Sequence, residues 1–355
     1  MKAGPSGRFE ELDVLRGAAA LCVVLSHYSS HCARYFGAGP FGVHLPTIYG
    51  FHAVQLFFMI SGFVIYFTLE HSATWKAFAF SRVTRLYPAY WTSVTLMVLL
   101  ERVIFGRPVW IGGYVTNLTM FQEFLGFSNL DNVFWSLTIE VAFYVIMGLL
   151  FAVGLSSRIE PVGAIWLLLA CLWSAVDQYL GIALPAALPR VLILRYAPFF
   201  VAGIAFYLVS RRGPTTARLG LIAAALASAA FIDGLWDADT PAIAWPDLLH
   251  RLGVAVVLFG LFALAVAGRL RFAVSPVTLW LGTISYCLYL SHRNLGYSTL
   301  FRLHDQGVAI STSFLIALAD ALILAVALTY AVERPAMRAL RRRYRPPTNA
   351  TLTTP

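Results

Sequence analysis

The chain has 355 residues, 59% of them hydrophobic and only 12% charged, with a mean hydropathy of +0.74 and a formal net charge of +9. That is half the charge content of an ordinary soluble domain, and several apolar runs approach the ~20 residues that cross ~30 Å of hydrocarbon, so a water-soluble globular protein is excluded. Alternating ten-residue segments are absent, which excludes a barrel, and the cations lie between apolar runs, where they mark topology and attraction to anionic lipid rather than nucleic acid.

Apolar windows predict ten spans, near residues 12–30, 50–70, 85–104, 133–154, 161–179, 193–209, 219–235, 250–267, 277–295 and 311–332. The expected fold is therefore all-α, a polytopic transmembrane bundle of about ten helices. With both termini in the cytoplasm, 18 of the 26 lysines and arginines fall on the inner side, the bias that sets orientation. Residues 1–345 form a single membrane domain in this reading, and 346–355 (PPTNATLTTP) have the composition of a disordered tail. Cys22, Cys32, Cys171 and Cys287 lie in or beside apolar stretches without Cys-x-x-Cys spacing, so they are read as small buried hydrophobes, and no metal site is expected.

The first span carries the sharpest signal. Asp13 and Arg16 interrupt its apolar run, so it is expected to stay in the mature protein rather than be cleaved as a signal peptide. An ionisable group inside a span costs at least ~2.5 kcal/mol, which makes Arg16 and His27 candidates for function. They are eleven residues apart. At ~100° and ~1.5 Å per residue this puts them on one helix face, separated by ~16 Å. Asp13, one turn before Arg16, can pair with it. Arg16 near the inner face could hold a phosphate or an amide carbonyl, and His27 toward the outer face could take a proton from a hydroxyl. The bland alternatives are a snorkelling arginine and a structural histidine at the helix end.

Following the second span, Arg82 and Arg85 are three residues apart at the cytoplasmic mouth, where two guanidiniums would clamp an anion or simply anchor the helix. Residues 106–131 are aromatic but broken by Gly, Asn and Gln, and are expected to form an outer loop or re-entrant piece. Glu140 lies about two turns into the fourth span with Tyr144 at i+4, and could orient His27 or Arg16, bind acceptor hydroxyls, or serve as an interhelical partner. The acidic loop near 233–247 is read as solvated surface. The ninth span is expected to end at His292, read as an interfacial residue, and Glu333-Arg334-Pro335 as the stop of the last helix, with the basic stretch beyond it anchoring to the inner leaflet.

The segments LDVLRGAAALCVVLSH (12–27), FFMISGFVI (57–65), FSRVTRLYPAYW (80–91), FWSLTIEVAFY (134–144), ISYCLYLSH (284–292) and VERP (332–335) together resemble the acyltransferase-3 family of membrane O-acyltransferases. The resemblance implies acyl-CoA, often acetyl-CoA, as a co-substrate donor without a tightly bound cofactor. It also implies a bacterial, multi-pass inner (plasma) membrane location. Acceptors implied are sugars of lipopolysaccharide, exopolysaccharide or a lipid-linked sugar, and in some relatives macrolides. It carries a catalytic role to His27, paired with Arg16 in an arginine–ten residues–histidine motif. It carries an Arg-x-x-Arg motif to Arg82 and Arg85, and a functional glutamate to Glu140. An extracytoplasmic esterase-like domain, fused to some relatives, is not expected after the tenth span. Ser291 stands before His292 where a bulkier residue would be expected. The rival readings are an acyltransferase acting on a small molecule and a non-enzymatic transporter or flippase whose buried charges form a path.

Overall fold

A computed structural model describes residues 9–106, 108, 110–179, 187–232 and 248–343. The acidic loop and the C-terminal tail lie outside the described residues. No strand occurs among those described, and every one of the ten predicted windows falls on a helix. The helices are α1 (Glu10–Phe36), α2 (Thr47–Glu70), α3 (Trp75–Phe105), α4 (Ile111–Asn117), α5 (Trp135–Ala152), α6 (Ile159–Tyr179), α7 (Ala187–Val191), α8 (Ala197–Arg212), α9 (Thr216–Phe231), α10 (Leu248–Val266), α11 (Pro276–Asp305), α12 (Ile310–Ala327) and α13 (Arg334–Arg343). Five segments are long and apolar enough to cross a membrane: Tyr49–Glu70, Asn132–Ala152, Leu155–Asp177, Leu249–Val266 and Ile310–Arg343. The other apolar helices are shorter or carry the polar residues that line the interior.

Helices α1, α2, α8 and α11 form the centre. In α8 every residue from Ala197 to Leu208 is buried, because neighbours surround it on all sides. The outer helices show the opposite pattern, exposing Leu168 and Leu172 on α6, Val256 and Val257 on α10 and Ile323 on α12, as a surface in contact with lipid tails requires.

Two glycine crossings set the geometry of the centre. A Cβ on Gly62 would lie 2.2 Å from the Phe200 carbonyl oxygen, and one on Gly203 would lie 2.0 Å from that of Met59, so α2 and α8 touch backbone to backbone. Gly17 and Gly282 do the same for α1 and α11: a Cβ on Gly282 would lie 2.3 Å from the Asp13 carbonyl oxygen. These two helices meet again where His27 contacts His292. Both pairs of contacts are ten residues further along each chain, so α1 and α11 run parallel and stay in register over ~15 Å. Ser275 and Thr278 start α11 with a reciprocal capping box, and Pro276 occupies the first turn, where its missing N–H costs nothing.

Two local expectations are corrected. First, α1 and α11 extend well past their predicted ends, to Phe36 and Asp305, which puts His27 and His292 inside helices rather than at their tips. Residues that lowered the apparent hydropathy are accommodated within the bundle: Gly296 makes room for Tyr28 of α1, Thr299 donates to Asp320 of α12 (3.0 Å), and Ser298 bonds the Asn294 carbonyl of its own helix. Second, Pro335 does not stop the last helix. Residues Leu328–Glu333 form a π-helical turn and α13 follows at once, with the proline in its first turn. Residues 106–131, expected to form an outer loop or re-entrant piece, hold no membrane-length helix among those described. They fold into α4 and a packed return held by fully buried Asn117, whose amide donates to the carbonyls of Gly113 (2.8 Å) and Ser128 (3.1 Å) and accepts from the Leu130 N–H (3.0 Å). Tyr87, Tyr90 and Trp91 of α3 donate to the carbonyls of Thr119, Asn117 and Leu118 and tie this segment down.

Candidate active site

Among the described residues, two of the cavities within the bundle lie at opposite ends of the α1–α11 pair. The first, about 500 Å³, is lined by Asp13 and Arg16 of α1, Ser61 of α2, Arg82 and Arg85 of α3, Glu140 and Tyr144 of α5, and Tyr286 of α11. Glu333, Arg334 and Arg341 complete it. The sequence-selected residues Arg16, Arg82, Arg85 and Glu140 thus come together from three helices. Arg16 pairs with Asp13 at 3.1 Å, as the i,i+3 spacing predicts. Arg85 pairs with Glu333, whose other oxygen accepts from the Cys287 thiol (3.1 Å), and Arg85 also faces the Tyr286 ring. Glu333 is buried and part of the site; the π-helical turn carries it there, and it is not merely a boundary charge.

Sequence reasoning missed Arg334, which it read as part of the stop of the last helix, and Arg341, which it assigned to membrane anchoring. They are seven residues apart, close to two full helical turns, so both point from α13 into the same cavity. Five guanidiniums against three carboxylates leave the cavity positively charged, which suits a polyphosphate. Glu140 accepts from Tyr144 (2.5 Å) and Ser61 (3.3 Å) and belongs to this first cavity. It is not among the hydrogen-bond partners of His27.

The second cavity, about 320 Å³, holds His27 together with His31, Arg34, Phe51, Trp135, Arg293 and Tyr297. His27 Nδ1 lies 2.9 Å from His292 Nε2, with the ring centroids 5.2 Å apart and the ring planes within 11° of each other, the edge-to-edge arrangement of an in-plane N–H···N hydrogen bond. His292 is fully buried, and its Nδ1 faces the carbonyl oxygens of Tyr289 (2.9 Å) and Leu288 (3.2 Å). Only a protonated Nδ1 can bond a carbonyl, so Nε2 of His292 is the acceptor and His27 Nδ1 the donor. The remaining nitrogen, Nε2 of His27, then carries the lone pair. One imidazole fixes the tautomer of the other, the orienting arrangement that a general base requires. Tyr28 supports the pair by donating to the His292 carbonyl at 2.6 Å.

Next to the histidines, Arg293 pairs with Asp131 (3.3 Å), which also caps the turn before α5 through the Val133 N–H. Asp131 lies at the end of the packed return, outside the spans; burial pushes its carboxyl above the usual carboxylate range, and the Arg293 guanidinium opposes this. Across the cavity, the His31 and Tyr297 rings stack with centroids 3.8 Å apart.

A positively charged chamber on one side and an oriented histidine on the other, both inside an apolar bundle, form an arrangement suited to group transfer in a membrane. The acyltransferase domain matches residues 9–334, and the chain belongs to the acyltransferase-3 family. It is similar to Acyltransferase MdmB of Streptomyces mycarofaciens, with 28% identity across 95% of this chain and 93% of that protein. Protein 2 in picA locus of Rhizobium radiobacter is 36% identical over 27% of this chain and 48% of its own length. Nodulation protein 10 of Rhizobium leguminosarum bv. viciae is 26% identical over 48% of this chain and 51% of its own length. No solved structure gives a significant match. The protein is an acyltransferase.

Proposed function

We propose that the enzyme transfers an acyl group, acetyl in the first instance, from cytoplasmic acyl-CoA to a hydroxyl of an extracytoplasmic glycan such as lipopolysaccharide, exopolysaccharide or a lipid-linked sugar. The observation that carries this reading is the separation of charge and base: an arginine-lined cavity at one end of α1 and the His27–His292 pair at the other. The CoA phosphates bind Arg82, Arg334 and Arg341, with Arg85 held toward the same space by Glu333. The pantetheine arm runs past Arg16, and its length suits the ~16 Å between Arg16 and His27. Glu140, with Tyr144 and Ser61, positions the arm beside the guanidiniums.

At the other end, Nε2 of His27 takes the proton of the acceptor hydroxyl as its oxygen attacks the thioester carbonyl. The new C–O bond forms, the C–S bond breaks, and the proton passes from His27 to the departing thiolate, giving CoA and the ester. A neutral imidazole oriented by a second imidazole supports this role for His27.

The proposed membrane setting is a bacterial inner (plasma) membrane with ten spans and both termini cytoplasmic. The parallel course of α1 and α11 supports it, since the first and ninth of ten spans must run the same way. Membranes carrying wild type or His27→Ala, present at equal level, are incubated with acetyl-labelled acetyl-CoA, and label is followed into the envelope glycan fraction. Label that depends on His27 supports the reading. Equal label with both removes His27 from the chemistry, and no label with wild type removes the glycan or the donor.

A further inference from the structure

The two cavities share only two lining residues, Val54 of α2 and Tyr289 of α11. Both are buried, and they form the partition between the arginine-lined chamber and the chamber of His27. The Tyr289 phenol is held in place: its oxygen lies 2.6 Å from Ser136 Oγ and 3.1 Å from the Val133 carbonyl, which also accepts from Ser136. Its ring neighbours Phe57, a wall of the first chamber, at a centroid distance of 6.0 Å, and His292 at 5.9 Å. Tyr289 is also three residues before His292 and accepts a hydrogen bond from it through its carbonyl. The partition and the base are therefore mounted on one helix.

We propose that Val54 and Tyr289 are the specificity-determining constriction of the enzyme, which the acyl end of the donor must pass to reach His27 and whose bore limits the size of acyl group transferred. This rests on the donor and base assignments given above. An acyl group delivered from the arginine side meets the partition before it meets the histidine. The phenol, held at its hydroxyl and neighboured by Phe57 and His292, yields only a narrow gap, and each further methylene must be drawn through it between Val54 and the ring. Packed protein interiors respond to changes of a single methylene, so a residue at this point discriminates by size. Ser136 acts on the constriction through Tyr289 and is a positioning residue.

The test uses the full-length enzyme in native membranes with three thioesters, acetyl-CoA, butyryl-CoA and hexanoyl-CoA, in competition. The readout is the ratio of hexanoyl to acetyl ester formed. Wild type is expected to favour acetyl. Val54→Ala, which removes two methyl groups from the wall, raises the hexanoyl-to-acetyl ratio at least tenfold, and Val54→Ile lowers it. Tyr289→Phe keeps the girth of the ring but loses its latch, and raises the ratio less than Val54→Ala. If Val54→Ala fails to accumulate, the opposite shift in Val54→Ile decides. Ratios equal to wild type in Val54→Ala and Val54→Ile, with acetyl transfer intact in wild type, overturn the constriction and leave the function standing. Wild type that transfers none of the three acyl groups overturns the donor assignment and the constriction with it.

Discussion

Replacing His292 with phenylalanine tests whether the histidine pair acts as a unit. Phenylalanine keeps an aromatic ring at this position. The two carbonyls bonded by His292 Nδ1 belong to the helix ladder, so losing that donor costs little. What disappears is the acceptor 2.9 Å from His27 Nδ1. The His27 N–H is then left without its partner, or the ring turns or changes tautomer to find another. An unsatisfied buried donor costs ~1–3 kcal/mol, which at ~1.4 kcal/mol per decade corresponds to a kcat lower by roughly 5- to 150-fold. The arginine-lined chamber is remote from this change, so KM for acetyl-CoA is expected to remain at its wild-type value. Initial rates of acetyl transfer at varied acetyl-CoA, in membranes with matched enzyme levels, provide both constants. A wild-type kcat, or a loss carried entirely by KM, would refute the orienting role of His292.

Other substitutions separate the remaining parts. Arg341→Ala is expected to raise KM for acetyl-CoA by about tenfold with a smaller effect on kcat, because a hydrogen bond to a charged group contributes ~1.5–3 kcal/mol; steady-state kinetics measures the split. Arg85→Ala leaves Glu333 buried without its cation and is expected to lower stability by ~3–5 kcal/mol, read as a lower melting temperature of the detergent-solubilised protein, whereas Arg82→Ala leaves the melting temperature close to wild type. Gly282→Ala puts a methyl group 2.3 Å from the Asp13 carbonyl oxygen; over-packing of this kind costs ~1–3 kcal/mol, and forcing α1 from α11 should lower both the melting temperature and the transfer rate. Asn117→Ala unties the packed return before Asp131 and is expected to make residues 118–131 more accessible to protease added from the outer side, measured by limited proteolysis of right-side-out vesicles.

The helices were legible because burial in lipid and burial among helices demand the same apolar runs. Within a single helix, side-chain geometry was legible too: the Arg16–Asp13 pair follows from a spacing of three. Relations between helices were not. His292 contacts a residue 265 positions away, and nothing in the local pattern around Ser291 announces that contact. Arg334 and Arg341 were hidden by an ambiguity of charge, since a basic segment beside a membrane looks the same whether it faces headgroups or a cavity. Glu333 depended on a π-helical turn, which changes the direction of a side chain without changing the composition of the segment. Glu140 was selected as a buried carboxylate, but which of the two chambers it serves was decided only by the packing of α5 against α2 and α3.

The parallel pairing of α1 with α11 also governs how the protein is made. The helix carrying His27 is translated first, and its partner follows 265 residues later. At ~5–20 residues per second this delay is on the order of tens of seconds. Throughout it, a span containing Asp13 and Arg16 must rest in the bilayer with its glycine seam uncovered. The local Asp13–Arg16 pair makes that wait tolerable, since it needs no other part of the chain. Until α11 inserts, the nascent protein has no histidine pair.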